Sequence, residues 1–321
     1  MKKIICLILA AWMLASLLCA CNEEPAEETT GETQSVGFFE ADPGEDGVLS
    51  ILMIGDSFCY HYTDELYGML ADAGLTVSVT NAYHPDCHME QHWNWLIDHS
   101  RKYQFITFNA NGKSVLENMS LEEGLRLQNW DYISLQQHYT PETTMDHKVA
   151  MSQIEPYARN LYDYLEKKFP QARRMWHQTW AYQVGYEGPS LQDAAVGEEA
   201  KVLTREKQTA CHETIRRTAL TVSQTYGVTR VPCGDAWQLA RADERVGDGL
   251  CARLSVNNGA GDNCHDGDVG GGQYLNACVW FELITGKSCV DSKYRPGAYV
   301  LTDKLIKGLQ EAAHQAVVAM E

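Results

Sequence analysis

The sequence predicts an α/β domain with one parallel sheet and helices on both of its faces. Segments of strand character alternate with segments of helical periodicity over about 270 residues. The first strand is a run without alternation, apolar at every position but Ser50, the look of a strand buried on both faces. No internal repeat or linker divides the alternation, and 321 residues at 45% hydrophobic and 21% charged describe a chain that folds around a core.

Val48 to Ile54 is that first run, and it ends abruptly at Gly55-Asp56-Ser57. A helical pattern starts near Thr63 and stops at Gly74, a residue suited to the left-handed cap that closes helices. Thr76 to Thr80 reads as the second strand. A helix is expected from Gln91 to Lys102, and another is opened by Ser120, with Glu123 three residues on to complete a capping box. Asp131 to Leu135 is the third strand and runs into Gln136-Gln137. The helix Ile154 to Phe169 is closed by Pro170. Met175 to Thr179 and Thr229 to Val231 are the fourth and fifth strands, separated by a loop and a long helix from about Glu198 to Tyr226. Val269 to Gly286 and Asp303 to Met320 supply the terminal helices.

Residues 1–20 read as a processing signal: Lys2 and Lys3 precede the apolar run Ile4 to Ala20. The exit Leu18-Cys19-Ala20-Cys21 resembles a bacterial lipobox, with Cys21 as the lipidated residue. Residues 21–47 lack Lys and Arg and are rich in Glu, Thr, Gly and Pro, an acidic flexible tether, and residues 48–321 form the folded domain. The expected location is extracytoplasmic, at the cell surface, anchored to a bacterial membrane by lipid alone. Lys and Arg number 26 against 43 Asp and Glu, a formal charge of -17, with no cation between Lys3 and Arg101. Such a chain offers little to a phosphate backbone, so nucleic acid is not an expected partner.

In open α/β sheets ligands bind at the carboxyl ends of the strands, where Gly55-Asp56-Ser57-Phe58 stands. A Ser on that turn exposes its hydroxyl beside backbone N–H groups that can receive an oxyanion. Asp262-Asn263-Cys264-His265, in a Gly- and Asn-rich loop before a C-terminal helix, supplies the other half. A hydroxyl needs a base to remove its proton, and an imidazole needs a carboxylate to fix its tautomer.

These blocks resemble those of the SGNH (GDSL-type) hydrolase superfamily: Ile51-Leu52-Met53-Ile54-Gly55-Asp56-Ser57 is similar to its first, and Asp262-Asn263-Cys264-His265 to its last. A less characterised subgroup of exported bacterial SGNH-like proteins is similar through Leu135-Gln136-Gln137, Trp176-His177-Gln178-Thr179-Trp180-Ala181-Tyr182 and Gly272-Gln273-Tyr274-Leu275. The resemblance implies a three-layer αβα sandwich around a five-stranded parallel, flavodoxin-like sheet. It also implies hydrolysis of O-acyl esters without metal or cofactor. Ser57 is then the nucleophile, His265 the base and Asp262 its partner. The Ser57 N–H is one oxyanion donor. The family's second-block Gly falls near His84 to His88, where Asp86 and Cys87 stand instead, and its third-block Asn is absent, leaving Gln136 or Gln137 to supply a side-chain donor.

His92, Trp176, His177, Gln178 and Trp180 are the expected substrate-binding residues, the tryptophans offering a floor for a sugar ring. The expected substrate is an acylated, chiefly O-acetylated, carbohydrate. The alternative is a glycan-binding lipoprotein without turnover. His84, His88 and His92 are spaced for zinc, but Pro85 breaks the helix that would align them, so no metal is assigned. Eight cysteines remain beyond Cys21, and Cys251 and Cys264, which bracket the His265 loop, are the expected disulfide in an oxidising compartment.

Overall fold

In chain order the elements are β1 Leu49–Gly55, α1 Ser57–Tyr60, α2 Thr63–Asp72, β2 Val77–Tyr83, α3 Met89–Ile97, β3 Arg101–Asn109, β4 Gly112–Ser120, α4 Leu121–Leu125 and β5 Tyr132–Leu135. There follow α5 His147–Ser152, α6 Tyr157–Lys168, β6 Arg173–His177, α7 Arg205–Tyr226, β7 Thr229–Val231, α8 Cys233–Ala242, α9 Gly271–Thr285 and α10 Asp303–Val318. The structure, a computed structural model, describes residues 47–184, 203–246, 271–290, 292–297 and 300–320. All of these lie in one compact unit, Phe38–Glu321. Among the described residues no helix is long and apolar enough to cross a membrane.

The seven strands form one sheet in the order β4-β3-β2-β1-β5-β6-β7. β2, β1, β5, β6 and β7 are mutually parallel and, counted among themselves, stand in the order 2-1-3-4-5 of a flavodoxin-like doubly wound sheet. Every residue of β1 is buried, because the strand is central and covered on both faces. Leu49, Ile51 and Met53 face a core shared with α2, α8, α9 and α10. Leu52 and Ile54 face the opposite core, with α3, α6 and α7. Helix α9 is buried along all 15 residues, which explains why it is apolar on every side.

The expected five-stranded sheet is corrected to seven by an antiparallel hairpin on the β2 edge. The helix expected to reach Lys102 ends at Ile97, and β3 begins at Arg101. The turn is held by the Asn111 N–H donating to Asn109 Oδ1 at 2.9 Å, and Gly112 takes φ 92. Gly112 to Asn118 of the outer strand are exposed, so it shows no apolar alternation. The Asn111-Gly112 pair was the legible signal. Helix α7 starts at Arg205, where Thr204 Oγ1 accepts from the Lys207 N–H and caps it, and Glu198, the expected start, lies outside the described residues. The capping box forms as expected: the Glu123 N–H donates to Ser120 Oγ at 3.2 Å and the Ser120 N–H to Glu123 Oε2 at 2.8 Å.

Candidate active site

The crevice of a doubly wound sheet opens where successive crossovers leave one strand toward opposite faces. Here the chain leaves β1 for β2 on one side, and β5 lies on the other. Ser57 stands at the carboxyl end of β1 as the first residue of α1, partly exposed. Asp56 before it is fully buried, and its Oδ1 accepts the Phe58 N–H at 2.9 Å, which turns the chain sharply from strand to helix. Gly55 is required by close approach. A Cβ there would lie 2.4 Å from Gln136 Oε1 and 3.0 Å from Cys59 Sγ.

The two glutamines that follow β5 have different work. Gln136 Oε1 accepts the Asp56 N–H at 2.9 Å, while its Nε2 is buried without a hydrogen-bond partner. Gln137 is fully committed: Oε1 accepts the Met89 N–H at 2.9 Å, and Nε2 donates to His88 Nδ1 at 2.8 Å and to the His138 carbonyl at 2.6 Å. Gln137 therefore ties the β5 loop to the start of α3. Its neighbour alone keeps an unspent amide. Asp86 has φ 53, the left-handed region that Gly enters freely and other residues enter at a cost.

His138 was not singled out in the sequence. Its Nδ1 lies 2.5 Å from Asp56 Oδ2, and since a carboxylate has no proton to give, the imidazole donates. The nearby thiols are poor nucleophiles. Burial, then the Asp56 carboxylate, pushes the Cys59 and Cys87 thiols well up, so both stay protonated.

The expected substrate-binding side chains are placed differently from the sequence reading, and all five are buried. Trp176 belongs to the core facing α7. Trp180 stacks on Trp237 with ring centroids 4.4 Å apart and packs tilted against Phe58 at 4.8 Å. Gln178 donates to Asp235 Oδ1 at 2.7 Å and accepts from Arg230 Nη1. The Trp280 indole donates to Tyr62 Oη at 2.8 Å, and that hydroxyl lies 3.2 Å from His177 Nδ1. His92 Nδ1 lies 2.8 Å from Tyr103 Oη. Burial lowers both imidazoles from 6.5 to about 3, so they are neutral packing groups. The spacing signalled polar residues near strand ends, but burial depends on which helix covers each strand. Among the described residues, Tyr60 in α1 and Tyr83 at the carboxyl end of β2 keep partly exposed rings, 5.1 Å apart.

His84 Nδ1 lies 2.8 Å from the Pro85 carbonyl, and among the described residues no group of three His, Cys, Asp or Glu side chains is arranged to hold a metal ion. Asp262, His265, Cys251, Cys264 and Cys21 lie outside the described residues.

A doubly wound α/β protein with a Gly-Asp-Ser turn at the mouth of its central strand is the class this fold and site define. The chain belongs to the family described as Domain of unknown function (DUF4886), which it matches over residues 50–316. A crystal structure of a DUF4886 family protein from Bacteroides uniformis is similar at 22% identity and TM-score 0.69, over 84% of this chain and 95% of that one. Weaker likenesses are to a putative GDSL-like lipase from Parabacteroides merdae (15% identity, TM-score 0.42, 78% of this chain and 99% of that one) and a putative acylhydrolase from Bacteroides fragilis (10%, 0.33, 93% and 99%). No curated protein matches the chain.

Proposed function

We propose that this protein is a serine ester hydrolase in which Ser57 attacks the acyl carbon. The observation that carries the reading is the placement of a partly exposed Ser57 at the β1/β5 switch point, on a turn locked by Asp56 and Gln136. In this reading His265, oriented by Asp262, takes the Oγ proton as the C–O bond forms, then gives it to the departing alcohol. Water attacks the acyl-enzyme by the same route, releasing the acid and restoring Ser57. The oxyanion is received by the Ser57 and Asp86 backbone N–H groups and by the uncommitted Gln136 amide.

The substrate in this proposal is an O-acetylated carbohydrate met outside the cell by a lipid-anchored protein. Because Trp176 and Trp180 are buried, support for a sugar ring rests on Tyr60 and Tyr83. The test is fluorophosphonate labelling and aryl acetate turnover of wild type and Ser57→Ala, with acetate release from acetylated xylan set beside hydrolysis of long-chain esters. Labelling and turnover lost in Ser57→Ala, with acetate released from the glycan, is the expected result. Unchanged turnover in that variant refutes Ser57 as nucleophile. No labelling of wild type would favour the glycan-binding alternative.

A further inference from the structure

The Asp56 carboxylate is the one buried charge in the turn that presents Ser57, and a buried carboxylate is costly unless a donor meets it. One oxygen is met by the Phe58 N–H and the other by His138, which leaves the carboxyl end of β5 and is itself almost completely buried. The same Nδ1 lies 3.9 Å from Asp86 Oδ1, on the loop that follows β2. The His88 ring stands edge-on to His138 at 5.2 Å, and the His138 carbonyl is pinned by Gln137 Nε2 at 2.6 Å. One imidazole therefore sits at the junction of the three segments that follow β1, β2 and β5. Its two acidic neighbours are the residue before Ser57 and the residue that holds a left-handed backbone at φ 53.

We infer that His138 is a positioning residue of the ester-cleaving site: by donating to Asp56 while its Nδ1 lies 3.9 Å from the Asp86 carboxylate, it sets the spacing between the Ser57 and Asp86 backbone N–H groups. This rests on the reading of Ser57 and Asp86 given above. Oxyanion donors help only if they meet the oxygen as charge develops on it, so a tie between their two loops acts on turnover rather than on substrate capture. His138 works through the Asp56 carboxylate it holds.

The test compares wild type, His138→Ala, His138→Asn and Ser57→Ala of the full chain on an aryl acetate, with thermal unfolding measured for each. The Asn amide places an N–H where the imidazole Nδ1–H stands, so it keeps the donor without the ring. His138→Ala is expected to lower kcat about 100-fold with KM within about twofold, the scale of a small misplacement of catalytic groups. His138→Asn is expected to recover most of that loss. Wild-type kcat in His138→Ala, a loss confined to KM, or an Asn variant as impaired as the folded Ala variant would overturn the inference. If His138→Ala does not fold, the Asn variant decides: kcat within about threefold of wild type supports the tie, and a folded Asn variant that loses about 100-fold overturns it. Full turnover in Ser57→Ala would instead bring down the ester-site reading itself.

Discussion

Gly55→Ala probes the most tightly toleranced contact of the site. The position lies in β1 at an ordinary strand conformation, so the backbone accepts Ala and the unfolded chain would lose entropy, a gain of about 0.4–1 kcal/mol. Against it stands the new methyl, whose carbon would fall 2.4 Å from Gln136 Oε1 and 3.1 Å from Gln136 Cβ. Overpacking of this kind costs about 1–3 kcal/mol, and displacing Gln136 also breaks the buried hydrogen bond it accepts from the Asp56 N–H, about 1 kcal/mol more. The steric side wins, for a net loss of about 1–3.5 kcal/mol. Urea unfolding followed by tryptophan fluorescence measures it, and a cycle with Gln136→Ala isolates the cause. In the Gln136→Ala background the 2.4 Å clash with Oε1 is gone, and the added methyl still meets Cys59 Sγ at 3.0 Å and the Cβ of residue 136 at 3.1 Å, contacts that a shift of a few tenths of an ångström relieves. The substitution should then cost about 1 kcal/mol, a coupling of about 1–2 kcal/mol. A Gly55→Ala protein as stable as wild type, or one with the same penalty in both backgrounds, would refute the account.

Acid should destabilise the fold before carboxylates titrate. His92 and His177, held neutral to about 3 by burial, take up protons near 6.5 once unfolded. The unfolded state then binds more protons than the native one between those values, so stability rises with pH and is lost as pH falls below about 6.5. The slope approaches about 1.4 kcal/mol per pH unit for each site. Unfolding free energies flat from pH 7 to pH 5 would contradict the burial of both rings. Arg230→Ala should cost about 1–3 kcal/mol, because Arg230 Nη1 lies 2.5 Å from Asp235 Oδ2 and truncation removes that oxygen's donor, while Gln178 still meets Oδ1 and Arg216 lies 3.7 Å away. A shift in the urea midpoint equivalent to less than about 1 kcal/mol would show that water enters and solvates Asp235 instead.

What the sequence determined by itself was whatever local physics decides. A run apolar at all but Ser50, without alternation, predicted a central strand because both of its faces are covered, and β1 is wholly buried. Ser120 and Glu123 predicted a helix start because a capping box is closed within four residues, and Gly74 predicted a stop because it alone accepts φ 87 there without cost. The order of the five parallel strands followed the family resemblance. The tertiary structure decided what depends on partners distant in the chain. The β3–β4 hairpin joins an edge where its outer strand faces water, so no hydrophobic period announced it. Trp176, Trp180, His177 and Gln178 lie near strand ends, as read, but packing closes them off, and period-2 spacing says nothing of what covers a strand. Gln136 and Gln137 are equal as residue types. They part only because His88 and Met89, at the start of α3, spend the Gln137 amide, while the bare backbone of Gly55 admits the Gln136 carbonyl above Asp56. His138 carried no motif at all, since its significance lies in a carboxylate 82 positions away, brought to 2.5 Å by the pairing of β5 with β1.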